Sequence, residues 1–168
     1  MKKIGVFYSF GSNKTAKAAE QIIESLGKDN VAAIDVTQAT EADFKAYDKF
    51  VFGVPTWYDG ELPTYWDELI PMIEDIPFKG KKIAIFGNGN QKDYSENFGD
   101  AVGLMSEIMQ QAGAKIVGHT STDGYSFESS KALVNSNKFC GLILDFETQS
   151  KLNETRITSW VEQLNREL

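Results

Sequence analysis

Only one cysteine, one histidine and four prolines occur among 168 residues. A lone Cys140 excludes an internal disulfide and a cysteine-built zinc site. Within the apolar run KFCGLILDF it reads as a buried thiol rather than a reactive one. A lone His119 cannot build a multi-histidine metal centre and is poor support for a Ser-His-Asp triad. Cations are also scarce, 17 Lys and Arg against 24 Asp and Glu, for a net charge of -7. Nucleic acid and anionic membranes would repel such a surface, whereas a basic protein partner would suit it; moderate acidity also serves solubility. No apolar run approaches the roughly 20 residues of a membrane span. Met1-Lys2-Lys3 leads straight into an apolar strand-like run, without a signal-peptide core. The expectation is one monomeric, cytoplasmic domain over 1–168 with no metal.

Four short runs have the composition of buried strands: KIGVFYS (3–9), VAAIDV (31–36), KFVFGVP (49–55) and KKIAIFGNG (81–89). AKIVGHT (114–120) and KFCGLILDF (138–146) are two more. They are continuous rather than alternating, as parallel strands covered on both faces are. Helical segments lie between them. In 13–27, Ala16, Ala19, Ile22, Ile23 and Leu26 form one stripe that stops at Gly27. The segment 62–76 starts at Pro63 and is broken by Pro71, 97–113 ends in glycine, and 153–168 carries Ile157, Trp160, Val161 and Leu164, with Asn153 as its N-cap. This order implies an α/β fold, a doubly wound five-stranded parallel sheet with helices on both faces. The polar segment 120–138 reads as an insertion splitting the last strand. Ligands of such sheets bind beyond the carboxyl ends of the strands, at the switch point. Those ends here are the loops 9–15, 55–62 and 87–98.

In the first loop, Gly11, Ser12, Asn13 and Lys14 would aim backbone N–H groups outward from a helix start, with Ser12 and Thr15 adding hydroxyls. GSNKT lacks the outer glycines of a P-loop, and turn and capping roles would explain the same residues. In the second loop, PTWYDGELP, Trp57 and Tyr58 stand beside an Asp59-Gly60 turn that suits φ > 0; Trp57 serves a planar ligand or a partner, or else caps the core. In the third loop, Gly87 and Gly89 permit close approach of backbone, and Tyr94 supplies a second aromatic. Two aromatics on two loops beside a phosphate cradle describe a flat ring, a spacer and a phosphate.

At these residues the chain resembles flavodoxins of the long-chain type over essentially its whole length. PTWYDGELPTYWDEL (55–69), FGNGNQKDYSENFGDAVG (86–103) and GAKIVGHTSTDGYSFESSKAL (113–133) carry the resemblance. It implies non-covalently bound FMN, with Trp57 and Tyr94 on the two ring faces and the turn Tyr58-Asp59-Gly60 beside flavin N5. Gly87, Asn88 and Gly89 would face the pyrimidine edge with Asn97 nearby, Pro55 and Thr56 would flank the site, and Phe10 to Thr15 would hold the phosphate. Flavodoxins usually show [ST]-x-[ST]-G-x-T in that last loop. Here the six positions are Phe10, Gly11, Ser12, Asn13, Lys14 and Thr15, so a hydroxyl and a glycine are replaced. Asparagine tolerates φ > 0 better than other side chains, and losing one charge-assisted hydroxyl bond costs about 1.5–3 kcal/mol. The reading is a weakened or rearranged phosphate site rather than an absent one, with riboflavin preference as the alternative outcome.

The family implies an electron-transfer protein, not an enzyme, working between FMN semiquinone and hydroquinone at low potential. Asp59, Glu61, Asp93 and Glu96 would disfavour the reduced anion. Glu61, Asp67, Glu68, Glu74, Asp75, Asp93, Glu96 and Asp100 would face basic docking surfaces on a reductase donor and an acceptor enzyme. The alternatives are a two-electron quinone-type flavin reductase, for which no second nucleotide fingerprint is present, and a flavodoxin-like module with altered flavin binding. A phosphoacceptor receiver domain is rejected, because the first and third strands end in Ser9-Phe10 and Pro55-Thr56-Trp57 rather than in aspartates.

Overall fold

A computed structural model describes residues 2–168. Strands β1 (Ile4–Tyr8), β2 (Val31–Asp35), β3 (Lys49–Gly53) and β4 (Lys82–Asn88) lie parallel in the order β2-β1-β3-β4. Strand β5 (Lys115–Val117) pairs with the first half of β4, Ala84 opposite Val117. The chain then leaves the sheet for β6 (Thr120–Ser121), β7 (Leu133–Asn135) and β8 (Lys138–Phe139), a small antiparallel sheet of order β6-β8-β7. It returns as β9 (Leu142–Leu144), which pairs with the second half of β4, Phe86 opposite Leu142. The fifth position is therefore one strand in two pieces. The excursion between them is an antiparallel sheet rather than the loop its polar sequence suggests, and Lys138–Phe139 belong to it.

Alternate residues of each strand enter opposite cores, because the side-chain period of a strand is two. Phe7, Phe50, Phe52, Ile83 and Ile85 enter one core, and Val6, Tyr8, Val51, Ala84 and Phe86 enter the other. The first core is closed by α2 (Glu41–Lys45), α3 (Thr64–Asp67), α4 (Ile70–Glu74) and α5 (Asp100–Gln111). The second is closed by α1 (Asn13–Leu26) and α6 (Asn153–Glu167). Helix α1 turns Thr15, Ala18, Ala19, Ile22 and Leu26 fully inward, leaving Ala16 and Ile23 at the margin. Pro71 divides 62–76 into two short helices, since it supplies no N–H to continue the first. Helix α6 starts one residue earlier than its cap reading. Leu152 is the N-cap and Asn153 is the first helical residue, its buried side-chain amide without a hydrogen-bond partner. Cys140 is buried and burial raises its pKa, so the thiol is unreactive.

Strand order places the switch point between β1 and β3: the chain moves from β1 outward to β2, then crosses back to β3. The carboxyl ends of β1, β3 and β4 thus open onto one edge, where backbone groups of diverging loops are left unpaired. No described helix is long and apolar enough to cross a membrane.

Candidate functional site

A cleft of about 630 Å³ opens at that edge, lined by Lys14, Thr56, Trp57, Tyr58, Asp59, Asn88, Gly89, Asn90, Tyr94, Asn97, Phe98, Phe146 and Glu147. Of the five large hydrophobic side chains exposed among the described residues, three crowd this edge: Tyr58 at 70%, Tyr94 at 57% and Phe10 at 49%. Tyr58 and Tyr94 line the cleft and Phe10 stands just outside its lining, so exposed aromatic surface is concentrated here rather than scattered.

The loop after β3 is a tight hairpin. Trp57 and Glu61 exchange both backbone hydrogen bonds, at 2.9 and 2.7 Å. Tyr58 is the one non-glycine with positive φ among the described residues, at 49°, and Gly60 follows at 96°. A Cβ on Gly60 would sit 2.6 Å from Asp100 Oδ2, so the turn requires glycine for space as well as for φ. The Asn97 amide donates to the Asp59 carbonyl at 3.1 Å, pinning this hairpin to the third loop. Thr56 Oγ1 accepts the Ala101 N–H at 3.1 Å and so caps α5. Trp57 is half-buried, its ring edge-on to Tyr65 at 5.5 Å.

The loop after β1 departs from its sequence reading in two ways. Asn13 begins α1 in ordinary helical geometry, so no residue of 10–15 needs φ > 0. Thr15 is buried and donates its hydroxyl to Asn88 Oδ1 at 2.9 Å, which locks α1 to the end of β4 and removes that donor from any ligand. The Phe10 ring rests on Tyr8 at 4.9 Å, and its N–H points at Asp35 Oδ1, 3.4 Å away. What remains open is the start of α1. Ser12 is its N-cap, but its hydroxyl makes no capping bond, and the first turn has no acidic residue. The N–H groups of Asn13, Lys14 and Thr15 have no partner among the described residues. Unpaired N–H groups and the positive end of the helix dipole attract an anion. Lys14 pairs with Glu147 across the cleft.

In the third loop, Asn88, Gly89, Tyr94 and Asn97 line the cleft, but Gly89 N–H donates to Leu144 O at 2.9 Å and is not free for a ligand. Gly87 lies beneath the surface: a Cβ there would come within 2.4 Å of Val54 O. Pro55 is buried and, with Phe10, Gly11, Ser12, Asn13, Thr15 and Gly60, stands outside the lining set. Asn90, Phe98, Phe146 and Glu147 line the cleft and escape the sequence reading. The last two follow β9, a strand end hidden by the insertion. That insertion braces the third loop: Gln91 Oε1 accepts Ser126 N–H at 2.6 Å, and Ser129 Oγ donates to Glu96 O at 2.6 Å. Asp100, expected on the docking face, is instead buried and accepts Lys131 N–H at 2.8 Å.

The Tyr65 hydroxyl is buried beside this edge without a hydrogen-bond partner of good geometry, although the Ser12 and Ser9 hydroxyls face it. Burial pushes its pKa up to about 12, so it stays protonated.

The family model described as flavodoxin matches residues 6–160. A flavodoxin of a Nostoc species is 47% identical over 166 residues, covering 99% of this chain and 97% of that one. Escherichia coli flavodoxin 1 is 42% identical over 164 residues, covering 98% of this chain and 93% of its own length. A crystal structure of Fusobacterium nucleatum flavodoxin bound to flavin mononucleotide superposes with a TM-score of 0.92 at 32% identity, over 100% of this chain and 99% of that one. With a parallel sheet open at its switch point and relatives aligned along nearly its full length, this chain belongs to the flavodoxin family.

Proposed function

We propose that the chain is a low-potential one-electron carrier that holds FMN non-covalently in the switch-point cleft. One observation carries the reading: a cleft flanked by Trp57 and Tyr94 lies beside the open start of α1, a flat-ring slot next to an anion site. Flavodoxins are electron-transfer proteins rather than enzymes. The residues fit FMN, because the N–H groups of Asn13 to Thr15, unpaired among the described residues, and the Ser12 hydroxyl, which makes no capping bond, are donors suited to a phosphate.

FMN, when bound, supplies the redox chemistry, accepting and releasing single electrons. The chain's own groups bind and tune. Trp57 and Tyr94, both lining the cleft, would cover the flavin ring and keep water from it. The Asn97 bond to the Asp59 carbonyl fixes the hairpin, leaving the Tyr58 carbonyl as an acceptor with no donor among the described residues. The carboxylates of Asp59, Glu61, Asp93 and Glu96, exposed on the surrounding loops, oppose added negative charge in the cleft and hold the potential low. With Asp67, Glu68, Glu74 and Asp75, all exposed, Glu61, Asp93 and Glu96 form an acidic face for basic docking surfaces of a donor and an acceptor. The proposed setting is a monomer in the cytoplasm.

Titration of the flavin-free chain with FMN and with riboflavin, read by quenching of flavin fluorescence, tests the reading. FMN binding much tighter than riboflavin is expected; absence of quenching by either overturns it.

A further inference from the structure

We infer that the Tyr65 hydroxyl is a phosphate-binding donor, standing in for the hydroxyl that Phe10 replaces in the first loop. The inference rests on the FMN reading and specifies how that site discriminates.

Three observations converge. Tyr65 Oη is buried with no hydrogen-bond partner of good geometry among the described residues, the Ser9 and Ser12 hydroxyls lying beside it, and a buried polar atom so poorly paired gains from a partner that arrives with a ligand. Tyr65 is the second residue of α3, its ring edge-on to Trp57 at 5.5 Å, and its hydroxyl end faces Ser9 and Ser12. Those two serines bracket Phe10, so the phenol reaches from β3's side of the switch point into the loop that starts α1. The loop itself is short of hydroxyls. Phe10 has none, and Thr15 donates its own to Asn88, which leaves Ser12 alone among residues 10–15.

Chemistry favours a donor role. A phosphate dianion offers acceptors only, so its partners must donate. Burial keeps the phenol protonated through the physiological range, with the serine hydroxyls moderating the shift and the Asp35 charge adding to it. Neutral Tyr65 therefore presents an O–H at any pH where the protein works, and it repels no anion. Its contact with Trp57 also ties the phosphate end of the cleft to the ring end.

The test is Tyr65→Phe, which keeps the ring and deletes only the hydroxyl. The flavin-free full-length variant and the unaltered chain are titrated with FMN and with riboflavin, and both are unfolded thermally without flavin. Expected is a loss of FMN affinity of about tenfold or more, unchanged riboflavin affinity, and a flavin-free midpoint equal to or above the unaltered one. Equal losses for both flavins would place the effect in the Trp57 contact and overturn the inference, as would no loss for either. Proton NMR of the unaltered chain gives a second reading that needs no variant. A Tyr65 phenolic proton protected from exchange with FMN, but not with riboflavin, is expected; equal protection or none overturns the inference. Failure of the unaltered chain to bind either flavin would instead remove the FMN reading itself.

Discussion

Asp145 and Gln91, 54 residues apart, are joined twice: Asp145 Oδ2 accepts the Gln91 backbone N–H at 3.1 Å and its side-chain amide at 2.8 Å. Asp145 follows β9 directly, so the pair ties the end of the split strand to the loop after β4, and thereby sets Asn90, Phe146 and Glu147 around the cleft. Thr148 adds its backbone N–H at 2.8 Å and its hydroxyl at 2.5 Å. Desolvation by itself would raise the Asp145 pKa, but these donors from Thr148 and Gln91 together hold it below its ordinary value of 3.8.

Asp145→Asn should therefore destabilise the chain by about 1–3 kcal/mol, since an amide cannot accept all of these bonds. The folded pKa is depressed, so this stability is present above pH 3.8 and is lost as the pH falls through the lowered folded value. Urea unfolding at neutral pH and under acid conditions checks both points: the variant should show the weaker loss of stability on acidification.

Trp57→Ala should weaken FMN and riboflavin alike, by about 1–3 kcal/mol for one lost stacking face. Fluorescence titration of both flavins reads this. A loss confined to FMN would mean that Trp57 serves the phosphate rather than the ring.

Glu147→Gln removes a carboxylate from the cleft and frees Lys14, its ion-pair partner. Both side chains are about half exposed, which limits the gain to about two- to fivefold tighter FMN. Riboflavin affinity should not change. Lys14→Met should act in the opposite sense, again on FMN alone.

Reversing charge at Asp67 and Glu68, exposed on and just beyond α3, should slow reduction by a basic reductase and flatten its salt dependence. Stopped-flow rates across ionic strength measure this, because exposed charges are screened beyond about 10 Å at 0.1 M salt. FMN affinity should stay as it was.

Composition and short-range pattern settle much of this molecule. Buried parallel strands must be apolar on both faces, so β1, β3 and β4 stand out as continuous runs; β2 reads the same way in sequence, yet it is an edge strand and only Val31 of it is buried. Helices α1 and α6 announce themselves by their periodicity, α5 by the glycine that ends its segment, and the break at Pro71 by its missing N–H. Trp57, Tyr58, Asp59 and Tyr94 stand out in sequence as aromatics and turn formers at strand ends, and Asn97 through the family resemblance; all five line the cleft. Tertiary structure decides what depends on partners distant in the chain. Phe146 and Glu147 reach the cleft only because β9 returns beside β4 after the insertion. Thr15 and Gly89 look like ligand donors in sequence, yet each donates within the protein, to Asn88 and Leu144. Tyr65 looks like a helix residue, yet its hydroxyl is buried against the Ser9 and Ser12 hydroxyls with no partner of good geometry among the described residues. A donor is free or engaged according to what folding brings opposite it, and no local pattern records that.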